Sequence, residues 1–388
     1  PAGLLLHYRV DVSSGVDETR NARIRRAHDR RSGLHGPEDG HREVLPELAG
    51  RGFGSLEVAP TRLWTDPLAQ DADEVAVEAW CGRGPAKWAA ARTPVQIGTN
   101  RRVARSGQIV MEPNDEGVTS KYADALRIDD DAGAPLAVWM CHAAHAVVMG
   151  GDNTLISADW PGYAQRAVEQ AYPGATALFA QGCCGDINCN WRNGWELAEN
   201  LGLMLAEAVG GAIDATEPVA EARVAAASET VALPLQDPPP VEDARATLAE
   251  AVRSRDEGWE EANYGVRMML DGIITWSEQV LALAEGGATG LTIDYEVQAI
   301  RLGDLCIVGL PGEVFVEYGL NIDAAAPCRL AAVPAYTNGN PGYVPTAAAY
   351  PEGGYEVLSA IRWYGTTMLA PETEAIILAA AGRVLAKV

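Results

Sequence analysis

The 388-residue chain carries 53 acidic against 30 basic side chains, and its net charge of −23 argues against a nucleic-acid partner, whose phosphates such a surface repels. Its 48% hydrophobic content is that of a globular protein, and no run approaches the roughly 20 apolar residues of a membrane span. Seven cysteines without paired spacing do not describe a disulfide framework.

Taken in order, the chain opens on Pro1-Ala-Gly-Leu-Leu-Leu-His7, an apolar run too short for a secretion signal. Asp17 to Arg31 is dense in arginine without an apolar face and reads as a solvated segment. A Gly/Pro turn follows, Ser32-Gly33-Leu34-His35-Gly36-Pro37, with His41 shortly after. Alanine and acidic residues predict a helix over Asp71 to Trp88, interrupted at Gly82-Arg-Gly84-Pro85. Val95 to Arg102 reads as a strand running into a polar loop, where Arg101 and Arg102 are either solvated or anchor a substrate oxygen.

The most informative stretch is Trp139 to Asn190. A turn at Asp129-Asp-Asp131-Ala-Gly133 feeds an apolar strand, Pro135 to Met140, which delivers His142-Ala-Ala-His145. A helix over Gly162 to Tyr172 and a second strand, Ala175 to Ala180, lead into the loop Gly182-Cys-Cys-Gly185-Asp186-Ile-Asn188. Polar residues gathered where two buried strands end are how α/β enzymes assemble their sites. Adjacent Cys183 and Cys184 suit a tetrahedral zinc site poorly and read as packing.

Beyond it, Asn193 to Gly211 is an amphipathic helix, Ala222 to Leu235 alternates in part like a strand, and Val241 to Glu285 is acidic and helical, a lid or outer layer. Leu291 to Leu302 and Leu305 to Leu310 predict a hairpin whose second strand ends in Pro311-Gly312-Glu313. A carboxylate there is rigid enough to serve as ligand or base, or simply faces a helix dipole. The block from Ala335 to Glu356 is rich in Gly, Pro and Tyr and has the composition of a functional loop or a self-packed surface loop. Glu372 to Val388 closes the chain as an amphipathic helix.

These loops offer His, Glu and Tyr donors, a set that suits Zn²⁺ with a position left for water. The natural chemistry is amide or ester hydrolysis. A serine nucleophile has no support, since GxSxG is absent.

Read in order, the segments resemble the catalytic domain of the neutral/alkaline (non-lysosomal) ceramidase family in its shorter bacterial form. The likeness runs from about Val95 to the C-terminus. It is carried by Ala144-His145, by Leu155-Ile-Ser-Ala-Asp159-Trp-Pro-Gly-Tyr163, by Phe179-Ala-Gln181 through Asn188, by Pro311-Gly-Glu313, and by Asn338-Gly339 through Tyr355-Glu356.

The resemblance implies a single α/β domain over 1–388, with mixed β-sheets flanked by helices and without the family's C-terminal immunoglobulin-like domain. Residues 1–94 are atypical of the family and 241–285 form a helical insertion or lid. It implies Zn²⁺ on His35, His145, Glu313 and Tyr343, with His35, Tyr355 and Arg101 in catalysis and Gly185, Asp186 and Asn188 against the substrate. Asp159 or Asp186 would orient His145 through its second nitrogen. The family's HTHSGP turn has two histidines where this chain has Leu34-His35-Gly36-Pro37, so His35 is ligand or proton donor, with His28 and His41 as substitutes.

The expected activity is zinc-dependent cleavage of an amide in a small N-acyl substrate, ceramide-like lipids included. The alternatives are a zinc esterase or small N-acyl amidase, and a catalytically lapsed binding protein on the same fold. The resemblance also implies export to the periplasm or medium.

Overall fold

The computed structural model describes residues 75, 77–151, 153, 155–189, 194–220, 223–260 and 264–388. They fall into two compact units. One comprises residues 84–238 and 285–388, and the other contains residues 239–284 together with the described residues up to 83.

In the larger unit the first strands are β1 (Ala86–Pro94), β2 (Gly98–Arg105), β3 (Gln108–Asn114), β4 (Tyr122–Asp130) and β5 (Pro135–His142). Helix α1 (Asp159–Ala171) then crosses over to β6 (Thr176–Gln181), and β7 (Ile187–Cys189) and helix α2 (Trp195–Asp214) follow. Strands β1, β4, β5 and β6 form one four-stranded sheet in the order β1-β4-β5-β6. Its first two pairings are antiparallel, and β5 and β6 run parallel, as the α1 crossover requires.

The helix expected over Asp71 to Trp88 ends early. Residues 77–81 are helical, but Trp88 lies in β1. This strand is buried on both faces at Ala89, Ala90 and Ala91, so it shows no alternation, and its alanines imitate a helix.

Strand β8 (Val224–Pro234) comes next. Helices α3 (Val241–Gly258) and α4 (Tyr264–Glu285) fill the stretch that the sequence predicted to be helical, nearly all of it in the smaller unit. The chain returns through β9 (Thr292–Leu302), β10 (Leu305–Gly309), β11 (Glu313–Val314), α5 (Val316–Ala325), β12 (Leu330–Ala332) and β13 (Tyr343–Val344). Short helices α6 (Ala349–Glu352) and α7 (Tyr355–Leu358) precede the terminal α8 (Thr373–Leu385). A second four-stranded sheet has the order β12-β10-β9-β8. Along β9, Tyr295, Val297 and Ala299 point inward at the two-residue period of a strand with one covered face.

The two sheets pack against each other through Trp88, Leu126 and Trp139 on one side and Leu305, Leu330 and Ala332 on the other. Helices α1 and α2 cover the outer face of the first sheet through Trp160, Val168, Leu205 and Val209. Helix α8 lies against β8 and β9. The unit is thus a helix–sheet–sheet–helix sandwich, the mixed α/β architecture with flanking helices expected from the sequence. Among the described residues no helix is long and apolar enough to cross a membrane.

Candidate active site

The site collects where the parallel strands β5 and β6 end, at His142 opposite Gln181. Ligand sites of α/β folds form beyond the carboxyl ends of such strands. Just past β5, the His145 amide donates to the Ile187 carbonyl at 3.1 Å, and its ring Nδ1 meets the same oxygen at 2.9 Å. A carbonyl only accepts, so Nδ1 carries the proton and Nε2 is aimed away from the backbone.

What Nε2 faces is Glu313 Oε2, 3.0 Å away. Glu313 is placed by the Pro311-Gly312 turn. Gly312 has φ +87°, and a side chain there would stand 2.7 Å from the Gly342 carbonyl oxygen. That close approach lets the Glu313 amide donate to Gly342 O at 2.8 Å and sets Glu313 opposite Tyr343 in the parallel β11–β13 pair.

Four groups converge on this one carboxylate. Besides His145, the Tyr336 hydroxyl lies 3.3 Å from Oε2, the Tyr364 hydroxyl donates to Oε1, and the Tyr343 hydroxyl is close enough to stabilise the carboxylate charge. Burial alone would raise Glu313, but His145, Tyr343 and Tyr364 hold it below the usual carboxylate range. For His145, burial opposes a charge, yet Cys184 and Glu313 outweigh it and push the imidazole up to about 10. Tyr336 and Tyr343 are both held far above the ordinary phenol value, first by burial.

Arg101 forms the second tier. Its side chain donates to Glu356 Oε1 at 2.8 Å, to Asn188 Oδ1 at 3.1 Å and to the Tyr343 hydroxyl at 3.1 Å. Arg102 donates to the other oxygen of Glu356 at 2.7 Å, so a single buried carboxylate holds two guanidinium groups. The Tyr355 ring stands edge-on to Tyr343, with centroids 5.7 Å apart, and it is the more exposed of the two. Arg101 and Asn188 also line a cleft of ≈ 350 Å³ with Met111 and Pro113.

Of the residues singled out from sequence, His145, Glu313, Tyr343, Tyr355, Arg101 and Asn188 thus come together. Gly185 and Asp186 serve as scaffolding. The Gly185 amide donates to Val314 O at 2.8 Å, and a side chain there would stand 2.3 Å from the Glu313 carbonyl oxygen. Asp186 accepts from the Val316 amide at the start of α5 at 2.9 Å and from Asn100 Nδ2 at 2.8 Å. Neither expected carboxylate orients His145, because the Ile187 carbonyl does. Asp159 is instead occupied by the Met149 and Trp160 amides. His35, with His28 and His41, lies outside the described residues.

Sequence reasoning gave no role to Tyr336, Tyr364 or Glu356, and it read Arg102 as solvated or as a substrate anchor, whereas the side chain is buried on Glu356 and the Gly353 carbonyl. Tyr336 and Glu356 stand inside the Gly/Tyr-rich block, but nothing in their spacing marks them. Tyr364 lies beyond the block.

The described donors fit zinc as far as they go. Two atoms on one tetrahedral zinc, each bonded at about 2.0–2.1 Å, stand about 3.3 Å apart, close to the 3.0 Å between His145 Nε2 and Glu313 Oε2. The protonated Nδ1 on a backbone carbonyl is the usual support of a metal-bound histidine. Among the described residues no three His, Cys, Asp or Glu side chains form a metal cluster, so the remaining donors would be phenols and a group from outside them.

The class so defined is an α/β sandwich with a buried His–Glu–Tyr centre at its strand ends. No family model matches the chain, and no curated protein sequence matches it. Solved structures do. The neutral ceramidase from Pseudomonas aeruginosa superposes with a TM-score of 0.57 at 18% identity, covering 82% of this chain and 55% of that one. A ceramidase complexed with C2 gives a TM-score of 0.53 at 18% identity over 78% of this chain and 53% of that one. The chain therefore has the ceramidase-like fold, and it spans about half the length of the ceramidases it matches.

Proposed function

We propose that this chain is a zinc-dependent hydrolase that cleaves the amide bond of an N-acyl compound, ceramide-like or smaller. The observation that carries the reading is the His145–Glu313 pair, 3.0 Å apart and ringed by phenols, in a fold shared with ceramidases. His145 and Glu313 would hold the metal beside Tyr343, with His35 as the candidate donor from the N-terminal region. Bound there, zinc supplies a Lewis acid for the amide carbonyl and lowers the pKa of water toward neutrality.

The remaining work falls to the chain itself. Glu356 and Asn188 fix Arg101, which keeps Tyr343 in place and offers positive charge beside the cleft. Tyr355, half-exposed at the edge of the cluster, is positioned to hydrogen-bond the substrate or return a proton to the leaving amine. Exposed Met111, Leu358 and Trp363 offer apolar surface for an acyl group.

Elemental analysis of chelator-free protein, paired with a panel of N-acyl amides and matched esters, tests this. About one zinc per chain, lost in Glu313→Ala together with amide hydrolysis, is the expected result. Turnover of esters alone would move the assignment to an esterase, and hydrolysis untouched by metal loss would reject it.

A further inference from the structure

Tyr336 has a backbone that calls for explanation. Its φ is +56°, in the left-handed region that bulky side chains avoid. It is held there from both sides. Its amide donates to Gly312 O at 3.1 Å, the Ala335 amide to Gln181 O at 2.8 Å and the Thr337 amide to Leu310 O at 3.0 Å. Strain maintained by surrounding hydrogen bonds is characteristic of functional positions. Here it places the phenol oxygen 3.4 Å from His145 Nε2 and 3.3 Å from Glu313 Oε2.

With the 3.0 Å between those two atoms, the three donors form a nearly equilateral triangle. Its sides are close to the roughly 3.3 Å edge of a zinc tetrahedron with bonds of about 2.0–2.1 Å. Tyr343, the tyrosine matched by family resemblance, is differently engaged, because its hydroxyl accepts from Arg101 at 3.1 Å.

Resting on the zinc reading above, we infer that Tyr336 supplies the third protein donor to the metal, while Tyr343 serves as a neighbouring hydrogen-bond partner. The two hydroxyls differ in their readout. A phenol oxygen bonded to Cu²⁺ gives a visible ligand-to-metal charge-transfer band, and Cu²⁺ takes N/O sites more tightly than Zn²⁺ does.

The experiment is Cu²⁺ titration of the full chain by absorbance, with zinc affinity measured alongside by competition against a chromophoric chelator. Wild type should bind Cu²⁺ and show the band. Tyr336→Phe should lose it and bind zinc more than about 100-fold more weakly, beyond the effect of removing an outer partner. A band retained in Tyr336→Phe, or Cu²⁺ bound to wild type without a band, overturns the assignment while leaving the zinc hydrolase standing. No metal bound to wild type overturns both. If Tyr336→Phe does not fold, Tyr343→Phe and Tyr364→Phe decide. The band surviving in both supports Tyr336, and its loss in either overturns it.

Discussion

Two buried polar clusters sit in the larger unit, and they differ in one respect. Around Arg92, the guanidinium reaches Asp124 at 2.7 and 3.0 Å and Asp323 at 2.5 and 3.1 Å, and it lies over the Tyr122 ring. Beside it His142 is closed off, with Nδ1 on the Tyr122 carbonyl at 2.9 Å and Nε2 receiving the Ile97 amide at 3.4 Å. The adjoining cavity of ≈ 30 Å³ has room for about one water. Around Glu313, by contrast, a ring nitrogen, a carboxylate oxygen and a phenol oxygen stand within 3.0–3.4 Å of one another. Burial and charge are common to both clusters, so neither identifies a site. The mutual approach of three groups able to bind a metal does.

The largest expected effect breaks the structural tier under the Glu313 cluster. Glu356→Gln leaves Arg101 and Arg102 buried without their shared countercharge and should cost about 3–5 kcal/mol in urea unfolding. Asp124→Asn in the other cluster leaves Arg92 with Asp323, and Arg92 is partly exposed, so its loss should be smaller. Equal losses would mean that the second carboxylate does not compensate.

A pH series probes the closed cluster next. Burial lowers His142 from 6.5 to about 4, so the fold keeps it neutral while the unfolded chain takes up a proton. This contribution is intact above pH 6.5 and is lost as pH falls toward 4, by about 1.4 kcal/mol per pH unit and about 3 kcal/mol in all. His142→Asn should flatten that slope in urea unfolding between pH 7 and 4.5. An unchanged slope would assign the acid sensitivity to other groups.

The histidines also show what was legible in the sequence. Chain order and apolar runs gave β5, α1, β6, α2, the β9–β10 hairpin and α8, because each has a period or a turn that one sequence displays. They did not give β1, whose alanines are buried on both faces, or the short β11–β13 pair, whose strands exist only through each other. His145 was separated from His142 by family resemblance, and Glu313 could be picked out because it follows an apolar strand and a Pro-Gly turn. Tyr336 could not, since its role comes from a left-handed backbone that long-range hydrogen bonds impose. The support of His145 was misassigned to Asp159 or Asp186 for the same reason, because a backbone carbonyl leaves no mark in side-chain chemistry.

A smaller effect is expected at Gly185, where sequence resemblance suggested a substrate contact and the structure gives a packing contact. In Gly185→Ala the new methyl meets the Glu313 carbonyl oxygen, and either the loop or β11 must give way. Overpacking of this kind costs about 1–3 kcal/mol. Because the displaced backbone carries Glu313, zinc affinity should fall with it. Lost stability with unaltered metal affinity would show that the loop moves and the strand does not.

The smallest effect on stability belongs to Tyr355→Phe, and it sharpens the comparison most. The ring is partly exposed and keeps its edge-on contact with Tyr343 without the hydroxyl, so unfolding should shift by no more than about 0.5 kcal/mol. The hydroxyl is a different matter. If it returns the proton to the leaving amine, kcat should drop by about 10²–10⁴-fold with a good leaving group restoring much of the loss. If it only binds substrate, KM rises and leaving-group quality is irrelevant. A chemical step that collapses while stability and metal content hold would make Tyr355 a catalytic residue of the open cluster, a role that no residue of the closed cluster around Arg92 can take.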